Sequence, residues 1–118
     1  MRATRRERRH ARAPFGAPVE LWKQRTPTLV KAVDISRGGL FLSTDEIVGE
    51  GSYLTVRIAL PGYRRFTAMC RVTRVQCGRG LVRGPGLGLE FIDVSPADKE
   101  RIDAYVRRAL ERSVAALV

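Results

Sequence analysis

Two short stretches carry residue types suited to holding a charged, planar ligand. The first, Arg8-Arg9-His10-Ala11-Arg12, puts three guanidinium groups within five residues. Arginine forks donate paired hydrogen bonds to phosphate oxygens or to the O6/N7 edge of guanine, and the planar group stacks on a purine face. The second is Asp34-Ile35-Ser36-Arg37-Gly38-Gly39. Asp34 and Ser36 are two apart, so an extended chain presents them on one face. A carboxylate accepts from guanine N1–H and its exocyclic amine, and a hydroxyl beside it donates or accepts. Gly39 removes a side chain from the path of close backbone approach and admits positive φ. Each stretch also has a plainer use. An arginine run suits a solvated tail, and Asp-x-Ser before two glycines suits a turn closing a tight hairpin.

Other chemistry finds little support. His10 is the one histidine and has no placed partner. There are no paired carboxylates or nucleophile–base pair, so the chain does not read as an enzyme. Two cysteines seven apart and a distant histidine match no metal-site spacing, so no metal or cofactor is expected. Gly84-Pro85-Gly86-Leu87-Gly88 lacks the lysine of a phosphate loop and leads into an apparent strand. On one strand, Cys70 and Cys77 would face opposite ways, roughly 23 Å apart. That is beyond disulfide reach, which is consistent with a reducing cytoplasm.

The 118 residues suit one domain, and 44% hydrophobic content supports a core at that size. The net charge is +10, which favours phosphorylated or polyanionic partners. Residues 1–12 hold Arg2, Arg5, Arg6, Arg8, Arg9 and Arg12 against Glu7, about half of that excess. No apolar run has the length of a membrane-spanning helix, and no apolar stretch follows the basic start as in a secretory signal. No membrane insertion is expected.

Glycine- and proline-rich turns separate strands over about Ala17–Gln24, Thr28–Ile35, Leu40–Ser43, Tyr53–Leu60, Phe66–Gln76 and Leu87–Ile92. Leu54, Val56, Ile58 and Leu60 show the alternation most clearly. Further turns fall at Pro61-Gly62 and Gly78-Arg79-Gly80. An antiparallel sandwich or barrel follows. The period then changes. Ser95 and Pro96 suit a helix start, and Ile102, Tyr105, Val106, Ala109 and Leu110 form an apolar stripe over a helix at about 96–113.

Arg8-x-x-x-Arg12 followed by Asp34-x-Ser36-x-x-Gly39 resembles the paired motifs of the PilZ domain family. Gly86-Leu87-Gly88-Leu89-Glu90-Phe91 is similar to that family's last core strand, and the Ser95-Pro96 helix has a counterpart there. The likeness runs from about Arg5 to Ala109. Arg5/Arg9 and Arg2/Arg6 share the R-x-x-x-R spacing, but Arg8/Arg12 stand nearest the first strand, as the family pattern wants.

The resemblance implies an all-β fold: a six-stranded antiparallel barrel over residues 15–118 with a C-terminal α-helix, preceded by a flexible basic arm over 1–14. It implies a cytoplasmic receptor for the bacterial second messenger cyclic di-GMP. Arg8 and Arg12, assisted by Arg9, would wrap the ligand, Asp34 and Ser36 would read a guanine, and Gly39 would admit close approach. A chain this short carries no fused output domain, so the signal would pass to a separate downstream protein as ligand orders the arm. Two rivals remain: a ligand-free PilZ-like interaction adaptor, and a basic nucleic-acid-binding barrel. DNA or RNA is not expected as a partner, because Trp22, Tyr53, Tyr63 and Phe66 form no evident stacking row.

Overall fold

Inward-facing apolar side chains at two-residue intervals set the walls of this molecule. The computed structural model describes residues 11–77 and 84–117, with backbone alone for 115–117. Its strands are β1 (Arg12–Trp22), β2 (Pro27–Ser36), β3 (Gly39–Ser43), β4 (Tyr53–Ile58), β5 (Phe66–Gln76) and β6 (Gly86–Asp93), followed by helix α1 (Pro96–Leu117). The strands close a barrel in the order β1-β2-β3-β6-β5-β4, and every neighbouring pair is antiparallel. Closure leaves no sheet edge unpaired.

Val19 and Leu21 of β1, Leu54, Val56 and Ile58 of β4, and Ala68, Cys70 and Val72 of β5 fill the interior. Each large side chain buried there contributes roughly 1.5–3 kcal/mol. On β2 the inward residues are Val30, Ala32 and Ile35, whereas Leu29 is exposed. Ala32 and Ile35 are three apart, because β2 bulges against β3 between Ala32 and Asp34.

The largest differences from the sequence reading lie at two boundaries. β1 begins at Arg12, so residues 12–14 belong to the barrel rather than to an arm. Arg12, Ala13 and Pro14 pair with Ser36, Ile35 and Asp34, and Ala13 is fully buried. An irregularity between Pro14 and Ala17, with Gly16 at φ 63°, breaks the alternation that would have marked this extension. The helix also runs on to Leu117. Residues 1–10, including the rest of the arm, and the expected turn at Gly78-Arg79-Gly80 lie outside the described residues.

Helix α1 starts as its sequence demands: the Asp98 amide donates to Ser95 Oγ at 3.1 Å. Ile102 and Val106 are buried against the barrel. Tyr105 Oη donates to the Pro14 carbonyl at 3.1 Å, and its ring meets Phe15 edge-on at 5.5 Å. No described helix is long and apolar enough to cross a membrane.

Cys70 is buried and Cys77 exposed, and both are free thiols. Burial pushes the Cys70 thiol up to about 12 from 9.0. Native protein should therefore react with a thiol reagent at Cys77 alone, and denatured protein at both. A thiol held protonated in the fold stabilises fully below about pH 9, and that contribution is lost as pH rises towards 12. Urea midpoints across that range should fall, and Cys70→Ala should flatten the fall.

Candidate functional site

The pairing of β1 with β2 unites the two motifs. Pro14 stands opposite Asp34 and Arg12 opposite Ser36, so Arg12 lies diagonal to Asp34 on the outer face. Its guanidinium reaches back across that diagonal. Nε and Nη2 of Arg12 both lie 2.9 Å from Asp34 Oδ1. The Asp34 side chain is 15% exposed and that of Arg12 is 38% exposed. A pair this open to solvent is worth about 0–1 kcal/mol to the fold. Its consequence is placement: a carboxylate and an arginine held together on the barrel's outside.

The β2 bulge makes this possible. With Val30 and Ala32 pointing in, strict alternation would send Asp34 inward too. The bulge shifts the phase, Ile35 takes the inward place, and Asp34 turns out. A buried lone carboxylate would have cost several kcal/mol.

Ser36 has a different setting. It is 1% exposed. Its Oγ accepts from the Gly38 amide at 3.2 Å and donates to the Gly39 carbonyl at 3.4 Å. The hydroxyl therefore closes the turn between β2 and β3. Gly39 does not have positive φ; its reason is close packing. A Cβ there would collide with the Leu89 carbonyl of β6, while Phe91 donates its amide to Gly38 O at 2.8 Å. From the same turn, Arg37 reaches Asp103 of α1 at 3.5 Å. Arg8 and Arg9, the other arginines of the motif, lie outside the described residues.

The registers also bring up residues that motif reading passed over. Asp34 is opposite Phe41, Phe41 opposite Gly88, and Gly88 opposite Arg74, so an outward row crosses four strands. The signal for Phe41 was present: in Leu40-Phe41-Leu42 one of three apolar neighbours must face outward. Arg74 carried no such sign. Among the described residues no group of His, Cys, Asp and Glu could hold a metal ion.

The family model for the PilZ domain matches residues 5–108. No curated protein sequence matches. Among solved structures, the inhibitor of motility MotI/DgrA from Bacillus subtilis is similar with a TM-score of 0.72 at 17% identity, over 90% of this chain and 51% of that one. The PilZ domain of YcgR from Escherichia coli, solved with c-di-GMP, gives 0.67 at 16% identity over 92% of this chain and 95% of that domain. The PilZ domain of CeSA from a cellulose-synthesizing bacterium gives 0.57 at 16%, over 86% and 97%. At these identities the likeness establishes a shared barrel. The chain spans about half the length of MotI/DgrA and nearly all of the two isolated domains.

Gly39 and Ser36 can be tested as parts of the scaffold. Ser36→Ala removes both turn hydrogen bonds and should destabilise by roughly 1–3 kcal/mol in urea unfolding. Gly39→Ala should cost more, because strand backbones must separate to admit the methyl group. An alanine at Gly39 with wild-type stability would refute the close-packing account.

Proposed function

This chain belongs to the PilZ domain family, and from that premise we propose that it is a cytoplasmic receptor for cyclic di-GMP that signals through a separate partner protein. One observation carries the reading: Arg12 and Asp34, the near ends of the two motifs, meet side by side on the outer wall. The pair offers what a guanine nucleotide requires, an acceptor for N1–H and the exocyclic amine beside a fork for O6/N7 or phosphate. Two solved structures of the same fold, both of YcgR, contain c-di-GMP. The family consists of ligand-binding and adaptor domains rather than enzymes.

In this reading Arg8, Arg9 and Arg12 grip the phosphates and guanine edges, and Asp34 reads a guanine. Ser36 serves from beneath by fixing the turn that carries Asp34, and Gly39 by letting β6 support that turn. The root of the basic segment is fixed at Arg12. Two phosphates would neutralise several of the arginines ahead of it and draw that segment onto the wall. Helix α1 is tied to the same ground through Arg37–Asp103 and Tyr105–Pro14. A rearranged arm therefore changes the surface beside the helix, where a partner protein would sense it.

Calorimetric titration with cyclic di-GMP, with GTP as control, tests the reading. Wild type should bind saturably and select against GTP. Arg12→Ala and Asp34→Ala should each weaken binding about tenfold or more, the loss of a charge-assisted hydrogen bond. Amide exchange over residues 2–11 in the same samples should slow on binding. Binding without slower exchange would sink the arm's ordering; no binding at high ligand would sink the receptor.

A further inference from the structure

The outward row from Asp34 to Arg74 ends in a feature that the two motifs leave without a role. Neighbouring strands lie about 4.8 Å apart, so the row spans roughly 14 Å of wall. Phe41 is 1% exposed but lies outside the core cluster. Its ring occupies the space a Cβ at Gly86 would take. Arg74 crosses β6 from the other side. A Cβ at Gly88 would meet Arg74 Cβ at 3.3 Å and Nε at 3.7 Å. The Arg74 guanidinium carbon then sits over the Phe41 ring, 5.5 Å from its centroid. Gly86 and Gly88 thus form a trough on β6 that Phe41 and Arg74 enter from opposite walls.

This contact engages the Arg74 guanidinium through its face and leaves its N–H donors at the rim. Arg74 is exposed and makes no ion pair among the described residues. Its planar group lies over a ring on one side, and the residue stands in the row that begins at Asp34. Cyclic di-GMP has two guanines, and the described Asp34 carboxylate accounts for one. We propose that Arg74 is a specificity residue of the ligand site, its guanidinium stacking on the guanine remote from Asp34. The inference rests on the cyclic di-GMP reading above and extends that site from β1–β2 across β3 and β6 to β5.

Stacking demands a plane, so a lysine cannot replace it, whereas attraction to phosphate demands only charge. Cyclic di-GMP titrations of wild type, Arg74→Ala, Arg74→Gln, Arg74→Lys and Arg57→Ala separate these. Arg57 is an exposed arginine on β4, so its variant controls for net charge. The expected result is binding about tenfold weaker for Arg74→Ala and Arg74→Lys alike, with Arg57→Ala equal to wild type. Arg74→Gln keeps an aliphatic stem over Phe41, so it should melt with wild type and still bind weakly. Wild-type affinity in Arg74→Ala, or rescue by Arg74→Lys, would overturn the inference and leave the receptor reading intact. No binding by wild type would remove that reading first, and this inference with it.

Discussion

The direction in which Asp34 points is the constraint on which the outer wall depends. A closed six-stranded barrel fills its interior by alternation, and every strand must keep its apolar phase. β2 keeps it by bulging between Ala32 and Asp34. Ala32 and Ile35 both stay in the core, and the carboxylate emerges on the surface beside Arg12. One inserted residue thus satisfies two demands that strict alternation sets against each other: a continuous core and an outward carboxylate. The irregularity on β1 between Pro14 and Ala17 lies against the same stretch of β2, on its other side, in the β1–β2 pairing. That pairing continues to Arg12, which puts the last arginine of the basic segment at a fixed distance from the β2 carboxylate.

Around this pair the scaffold is rigid where it must carry load. The Ser36 hydroxyl spans its turn, and Gly39 permits β6 to close against β3. Helix α1 rests on both sides of the site, through Tyr105 to the start of β1 and through Asp103 to the β2–β3 turn. A change at Arg37 therefore meets the helix directly, and one at the start of β1 meets it through Pro14 and Tyr105. Such a short path suits a module that reports through its surface, since the wall and the helix face can be altered without repacking Ile102 and Val106 in the core.

Much of this architecture was legible in the residues. Leu54, Val56 and Ile58 announced β4 because nothing interrupts their alternation, and Ser95-Pro96 announced the helix because capping is local chemistry. The start of β1 was hidden because Gly16 and the adjacent irregularity break the period just where the strand continues. The two motifs were readable as short patterns, but their meeting was not: Arg12 and Asp34 are 22 residues apart, and only register brings them together. Ser36 illustrates the opposite case. Its spacing from Asp34 put both on one face, yet the turn's own polar groups claim its hydroxyl. Phe41 and Arg74 were illegible as a pair, since β3 meets β6 only through a pairing that skips β4 and β5 in the chain.

The Arg12–Asp34 corner of the outer wall is the proposed binding site for cyclic di-GMP. An NMR titration of isotopically labelled protein reads that location directly. Saturable shifts are expected to centre on the amides of Arg12, Asp34, Gly38 and Gly39, with the β4 amides of Tyr53–Ile58 little changed. Shifts centred on β4, or none at saturating ligand, would contradict it.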